Sequence, residues 1–280
     1  MNPEKTTCRY RRAAIGWLCL SIAIGTETTV QGQQVAQQAS HPTTIARKDL
    51  AEDGALPSGS NSHGTCVKDS EADARDDFHA MLHAPGAIPS GVRRNYRWLL
   101  PVSALTAALI ITGADERASR HVTSSSLEHA SSDLSSVGLF GIGVGSAATI
   151  FALGCHHGSE SGLHRRRAGF RTMEAMAYGL LVDEVLKAAF NRERPDNPAG
   201  DGRFWHGGKS FPSGHAVSVW AFAAAISSQY PRNRIVRYGA YGLAIAVSGL
   251  RFSAKKHFPS DVLGGNVVGY SIGKYLTKTS

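Results

Sequence analysis

Three short motifs in the C-terminal part of the chain carry the residue types that bind and attack a tetrahedral oxyanion. Together they supply three fixed cations, two histidines, one carboxylate and the start of a helix, all between positions 187 and 261. Each motif alone is weak evidence, because a lone basic residue is usually a solvated surface charge and a lone Pro-Ser-Gly is usually a turn. Their combined order and spacing predict a site for phosphoryl chemistry. The motifs are Lys187-x6-Arg194-Pro195, Pro212-Ser213-Gly214-His215 and Arg251-x5-His257-x3-Asp261.

The third motif predicts an imidazole prepared to act as a nucleophile. His257 and Asp261 are four residues apart, so on a helix they would share one face. Pro259 suits a first helical turn, where its missing N–H removes no hydrogen bond. A carboxylate in that place can hold one ring nitrogen and leave the other directed outward, as a nucleophilic imidazole requires. Arg251, just upstream, can fork onto phosphate oxygens.

The second motif predicts the start of a helix that faces an anion. Pro212 sets the entry, and the first-turn N–H groups at Ser213 and Gly214, together with the helix dipole, favour negative charge. His215 then lies where it can protonate a leaving oxygen. A helix N-terminus disfavours an imidazolium, whereas a bound dianionic phosphate favours it, so we expect this histidine to be acidic only when substrate is bound.

The first motif predicts two cations at the end of a helix. Lys187 precedes Arg194 by seven residues, which is two helical turns, so both side chains are expected to face one pocket. Pro195 is expected to stop that helix. A lysine point charge beside an arginine fork suits a pentavalent phosphorus whose charge is spread over its equatorial oxygens.

The elements that must position these motifs are predicted to be helices. From Trp98 onward the chain shows apolar runs rich in Ala, Leu and Gly at helical rather than alternating spacing, separated by polar turns. The predicted fold is therefore an all-α, six-helix bundle. The six runs are Trp98–Gly113, Val137–Cys155, Met173–Phe190, Val217–Ser228, Tyr238–Leu250 and Val262–Leu276.

The N-terminal third is predicted to lie outside this bundle. A basic segment followed by the short apolar run Ala13–Gly25 and small residues near position 32 predicts a signal peptide over residues 1–32. An uncleaved anchor is the alternative. Residues 33–92 are rich in Gln, Ser, Ala, Asp and Gly, so they bury too little apolar surface to fold and are predicted to be a disordered linker. The helical domain is then 93–280.

The composition limits the kinds of molecule that the chain is expected to bind. The chain has a net charge of +8, which suits an anionic substrate or membrane surface, but no aromatic-interleaved basic patch points to nucleic acid. Outside the signal segment only Cys66 and Cys155 remain, and export would permit a disulfide between them. No metal site is predicted, because no CxxC pair occurs and the histidines at 156, 157 and 164 lie beside a run of arginines. No obligate protein partner is indicated.

Over about residues 95–276 the chain resembles the type-2 phosphatidic acid phosphatase and vanadium haloperoxidase superfamily, whose three motifs it carries in order. The resemblance implies a helical bundle and catalysis without a metal or other cofactor. It also assigns the nucleophile that forms a phosphohistidine to His257, its carboxylate partner to Asp261 and the general acid to His215. One departure is Leu250, where the family often has Ser. The implied phosphate ligands are Lys187, Arg194, Ser213, Gly214 and Arg251.

The resemblance leaves several functions to compare. We predict a metal-independent phosphatase acting on phosphomonoesters or diphosphates of lipids, of the phosphatidate or polyprenyl diphosphate kind. An exported nonspecific acid phosphatase on soluble esters is the first alternative. A vanadate-dependent haloperoxidase, usually a much longer chain, and a non-catalytic phospholipid-binding protein are less favoured. The active site is expected outside the cytoplasm, in a protein of the cell envelope that is either periplasmic and membrane-associated or integral to the membrane.

Overall fold

The computed structural model describes residues 90–121, 125–156, 159–196 and 201–277. The predicted signal peptide and all but the last three residues of the predicted linker lie outside these ranges. The described residues form helices and no strand, which confirms the predicted all-α class. The elements are α1 (Ser90–Thr112), α2 (Ala114–Arg120), α3 (Ser125–Ser136), a π-helical segment (Val137–Val144), α4 (Gly145–His156), α5 (Glu160–Phe190), α6 (Gly214–Gln229), α7 (Arg234–Ser253) and α8 (Pro259–Leu276).

Each of the six predicted apolar runs lies within this helical framework, and the structure adds two helices that were not predicted. One is the short α2, which follows α1 after Gly113 in a left-handed conformation with φ 66°. Glycine adopts this conformation without the penalty of a Cβ, so the chain can turn sharply there. The other is α3, a serine-rich helix that continues into the π-helical segment. Helix α1 begins at Ser90, inside the residues predicted to be linker.

The core is built around α6, which is buried along nearly all of its length and packs between α5, α7 and α8. Alanines and valines line α6, while α8 presents Gly265, Gly269 and Gly273 at four-residue spacing. A Cβ on Gly269 would collide with the carbonyl oxygen of Val217. The glycines therefore let the two helix backbones approach closely, and this brings the start of α6 beside the start of α8.

The segment Ser126–His156 forms one long helical rod whose most apolar 18-residue stretch has a mean hydropathy of 1.8. Within the described residues this rod is long and apolar enough to cross a membrane. Helices α1 and α2 reach the required length and hydropathy only when they are taken together, and they are bent by 79° at the break between them. Only 28 % of the rod's most apolar stretch is buried. Cys155, near its end, is disulfide-bonded, and the partner cysteine lies outside the described residues.

Candidate active site

Lys187 lies in the last turn of α5, where it is buried against two carboxylates. Its Nζ lies 2.5 Å from Asp183 Oδ2 and 3.4 Å from Glu184 Oε1. The helix ends at Phe190, and Asn191 caps it in the left-handed conformation with φ 45°. Arg194 is therefore in the loop that follows, not two turns further along the same helix, and the prediction that Pro195 stops the helix was wrong.

The start of α6 follows the prediction for the second motif. Ser213 is the N-cap residue and Gly214 the first helical residue. The Ser213 hydroxyl is buried and has no hydrogen-bond partner. A Cβ on Gly214 would lie 2.6 Å from Asp183 Oδ2 and 3.2 Å from Lys187 Nζ. The first and second motifs therefore meet at this glycine, where a side chain would fill the space.

His215, in the first turn of α6, points towards the junction between α3 and the π-helical segment. Its Nε2 lies 3.4 Å from Ser136 Oγ. The ring packs edge-on against Phe140, with 5.9 Å between the ring centroids. The predicted general acid is thus contacted by residues that were not predicted to belong to the site.

His257 lies two residues before the start of α8, and Pro259 occupies the first helical turn as predicted. The histidine Nδ1 lies 2.8 Å from the carbonyl oxygen of Ser210. Since a carbonyl only accepts, Nδ1 carries the proton and Nε2 keeps its lone pair. Nδ1 lies 3.9 Å from Asp261 Oδ2, beyond hydrogen-bond distance. The expected direct contact between histidine and carboxylate is therefore replaced by a backbone carbonyl.

Asp261 is connected to the histidine indirectly, through Ser210. Its Oδ2 accepts from the Ser210 hydroxyl at 2.6 Å and from the Phe258 backbone N–H at 2.8 Å. Its Oδ1 accepts from Arg192 Nη1 at 2.6 Å. The same serine thus holds the carboxylate with its side chain and the imidazole with its carbonyl, which fixes the two groups relative to each other.

Arg192 is a functional neighbour that the sequence analysis missed. It is 1 % exposed, and besides Asp261 it donates to Asp115 at 2.9 Å, to the Ser260 hydroxyl at 2.7 Å and to the Gly202 carbonyl at 3.0 Å. Its guanidinium also lies 4.2 Å from the ring centroid of Phe258. A basic residue within the first motif was visible in the sequence, but its partner on α2 is 77 residues away.

Arg251, in the last turn of α7, is buried beside the end of α3. Its Nη1 donates to Ser135 Oγ at 3.2 Å, while its Nε is buried without a hydrogen-bond partner. Ser135 and Ser136 both come from α3, so this helix contacts Arg251 and His215 together. Nothing in the serine-rich sequence of α3 distinguished these two hydroxyls from surface serines before the fold was known.

The electrostatics of the site favour neutral imidazoles when no anion is bound. Burial, followed by the charges of Arg251 and Arg194, holds the pKa of His257 well below its usual value. Burial, then Arg251 and Lys187, lowers the pKa of His215 to about 4. Burial, then Arg194, lowers the pKa of Arg251 to about 10. The neighbouring charges that lower these three pKa values are all positive, so the surroundings of the two imidazoles suit an anion.

A cleft lies close to these residues, and its lining includes the chain neighbours of Arg194 and His257 but not the predicted site residues themselves. It has a volume of about 260 Å³ beside the third motif and is lined by residues of α2 and by the neighbours of the predicted site residues. Among the described residues, no group of three or more His, Cys, Asp or Glu side chains is placed to hold a metal ion. The cleft residues are Glu116, Ser119, Arg120, Pro195, Lys255 and Phe258.

Comparisons with known proteins place the motifs in a family context. Lipid A 1-phosphatases from Rhizobium etli and Rhizobium johnstonii are each 38 % identical to this chain over 98 residues, which is 32 % of this chain. The aligned segment spans only 40 % and 38 % of the length of those relatives. A crystal structure of a transmembrane PAP2 type phosphatidylglycerolphosphate phosphatase from Bacillus subtilis is 24 % identical, covers 64 % of this chain and 92 % of its own, and has a TM-score of 0.46.

The family model is the most direct of these comparisons, because it matches the segment that holds all three motifs. The PAP2 superfamily model matches residues 169–280. This segment includes helices α6 to α8 and most of α5. The resemblance expected from the motifs is therefore confirmed: residues 169–280 of this chain are similar to the PAP2 superfamily.

Proposed function

We propose that the chain is a phosphatase that hydrolyses phosphate esters of lipids through a phosphohistidine intermediate. One observation carries the proposal. The imidazole of His257 is held at Nδ1 by the Ser210 carbonyl, and the positive charges of Arg251, Arg194 and Lys187 all act on it. A neutral ring with one nitrogen restrained and the other free, surrounded by fixed cations, is what attack on a phosphate requires.

In the first step, His257 Nε2 forms a bond to phosphorus while the bond from phosphorus to the leaving oxygen breaks. His215 transfers a proton to that oxygen, so the product leaves as an alcohol. The positive charges of Arg251 and Lys187 contribute to the low pKa of His215 in the free site. A bound phosphate dianion offsets these charges, raises the pKa and lets the ring carry the proton. The Ser210 carbonyl continues to accept from Nδ1 of the phosphorylated ring.

In the second step, water attacks phosphorus and the bond between phosphorus and Nε2 breaks. His215, neutral after the first step, accepts the proton that the water loses. Inorganic phosphate then leaves, and both histidines return to their starting states. The Lys187, Arg194 and Arg251 side chains are assigned to the equatorial oxygens, whose charge they would stabilise in both transition states.

The lipid nature of the substrate is supported by the surface beside His215. Phe140 contacts this histidine and is 58 % exposed, and Val137 on the same segment is 60 % exposed. An exposed apolar surface next to the group that protonates the leaving oxygen suits an acyl or prenyl tail. The two relatives named lipid A 1-phosphatase point to the same class. Membrane association at the cell envelope, with the site outside the cytoplasm, belongs to this proposal.

The test compares a lipid with a small ester in the presence of EDTA. The full-length protein in detergent is assayed on phosphatidate in mixed micelles and on p-nitrophenyl phosphate. We expect kcat/KM to favour the lipid at least about tenfold, which corresponds to about 1.4 kcal/mol of transition-state binding. Chelation is expected to leave both rates unchanged.

Two results would contradict parts of the proposal separately. A preference of about tenfold or more for the soluble ester would assign the chain to the exported nonspecific acid phosphatases. Loss of activity in EDTA, restored by a divalent cation, would overturn the metal-independent mechanism. Trapping labelled phosphate on His257 by rapid alkaline quench, which preserves the acid-labile N–P bond, would support the covalent step.

A further inference from the structure

A buried carboxylate lies among the cations assigned to the phosphate. Asp183 is 1 % exposed, its Oδ2 contacts Lys187 Nζ at 2.5 Å, and the same oxygen lies against Gly214 at the start of α6. An ionised carboxylate here neutralises Lys187 and repels any anion that enters. This arrangement conflicts with anion binding unless the carboxylate changes its charge.

The hydrogen bonding of Asp183 leaves one of its two carboxylate oxygens without a partner. Its second oxygen, Oδ1, is buried and has no hydrogen-bond partner. The Ser213 hydroxyl and Arg251 Nε are buried and unpartnered as well. An unpartnered buried polar atom is costly, so such atoms commonly mark a position that a ligand or a proton completes.

We propose that Asp183 must take up a proton for a dianionic phosphoryl group to bind, so that this residue sets the pH range in which the site accepts its substrate. The inference rests on the proposed phosphate site. With Asp183 protonated, Lys187 loses its ion pair and becomes available to the anion. The carboxyl group, now neutral, no longer repels the ligand and gains an O–H donor.

The charges around Asp183 agree with this assignment. Burial is the main cause that raises its pKa, to about 6, while Lys187 and Arg194 act in the opposite direction and Glu184 adds to the rise. On α6 the nearest titrating group is His215, whose pKa lies lower, at about 4. On α8, Asp261 is bound by Arg192, and α4 carries no charged or titratable side chain before Cys155. The raised pKa means that Asp183 is ionised above about pH 6. In that pH range the proposed binding of the anion is accompanied by uptake of a proton from solvent.

The experiment uses sulfate, because it stays dianionic throughout the range from about pH 5 to pH 8 while phosphate itself titrates there. Sulfate affinity of the full-length protein is measured by calorimetry at several pH values, in buffers of different ionisation enthalpy. In the wild type we expect Kd to rise by at least about tenfold per pH unit well above pH 6, because Asp183 and His215 each take up a proton when sulfate binds. Asp183→Asn should bind sulfate more tightly above pH 7 and take up about one proton fewer per sulfate than the wild type, so that only the uptake by His215 remains.

Glu184→Gln is the matched control, because Glu184 also contacts Lys187 but its side chain is 60 % exposed. This variant should keep the wild-type pH slope. The inference is overturned if wild-type binding takes up no proton near pH 7, a measurement that needs no variant, or if Asp183→Asn keeps the wild-type slope. Absence of sulfate binding at every pH would instead overturn the phosphate site itself.

Discussion

Arg192 and Arg251 are both buried arginines near the candidate site, but their surroundings differ. Every nitrogen of the Arg192 guanidinium has a partner, including the carboxylates of Asp115 and Asp261. Arg251 has one hydroxyl partner, and its Nε has none. A buried charge with all its hydrogen bonds made holds structure together, whereas one with unused donors is held ready for a ligand.

The two regions also join different parts of the chain. The Arg192 cluster connects α2, the loop after α5 and the start of α8, and so anchors the segment on which His257 and Asp261 lie. The Arg251 region connects the ends of α3 and α7 with the start of α6. The first region is expected to control stability and the second to control binding and catalysis, and the following variants test that division.

The largest effect is expected for His257→Ala. Removing the proposed nucleophile should lower kcat on the order of 10⁴-fold or more, because the remaining groups cannot form the covalent intermediate. The helical circular dichroism signal should stay unchanged. Steady-state kinetics and labelling with radioactive substrate measure the loss, and His129→Ala, at an exposed histidine, is the matched control. Residual labelling in His257→Ala would contradict the assignment.

His215→Ala should lower activity less, by roughly 10²–10⁴-fold for lipid esters. The loss should shrink for p-nitrophenyl phosphate, whose leaving group needs little protonation. Since the pKa of free His215 is lowered to about 4, kcat/KM should fall as pH rises above that value. The profile of kcat should extend to higher pH, because bound phosphate raises the pKa. An equal loss on both substrates would remove His215 from the role of general acid.

The comparison of the two arginines is tested by the pair Arg192→Met and Arg251→Met. Loss of Arg192 leaves two buried carboxylates without their cation, so unfolding free energy should fall by about 3–5 kcal/mol. Loss of Arg251 should change stability by less than about 1 kcal/mol and instead weaken sulfate binding. Thermal unfolding and calorimetry measure the two outcomes. Equal destabilisation by both variants would break the proposed division.

The smallest effect is expected for Ser210→Ala. This variant loses the hydroxyl that donates to Asp261 but keeps the backbone carbonyl that holds His257. Stability should fall by about 1–3 kcal/mol, because one buried carboxylate oxygen loses a donor. Turnover should stay within a few-fold of the wild type. A loss of catalysis as large as that of His257→Ala would show that the hydroxyl, not the carbonyl, positions the imidazole.

Much of the framework followed from local sequence patterns. Helical spacing of apolar residues predicted the all-α class, and Pro212 and Pro259 correctly marked the starts of α6 and α8. These features depend on residues close together in the chain, because helix propensity and helix capping are local interactions. The motifs also gave the candidate site, and the catalytic and binding roles of its residues stay predictions.

Only the tertiary structure decided how the site residues are held. Arg194 lies in a loop because Asn191 turns the chain at the end of α5, and His257 bonds to the Ser210 carbonyl instead of Asp261. No spacing rule predicts a backbone carbonyl 47 residues away or the pairing of Arg192 with Asp115. The glycines of α8 make such contacts possible, because close helix packing brings together groups whose separation in sequence carries no information about their distance.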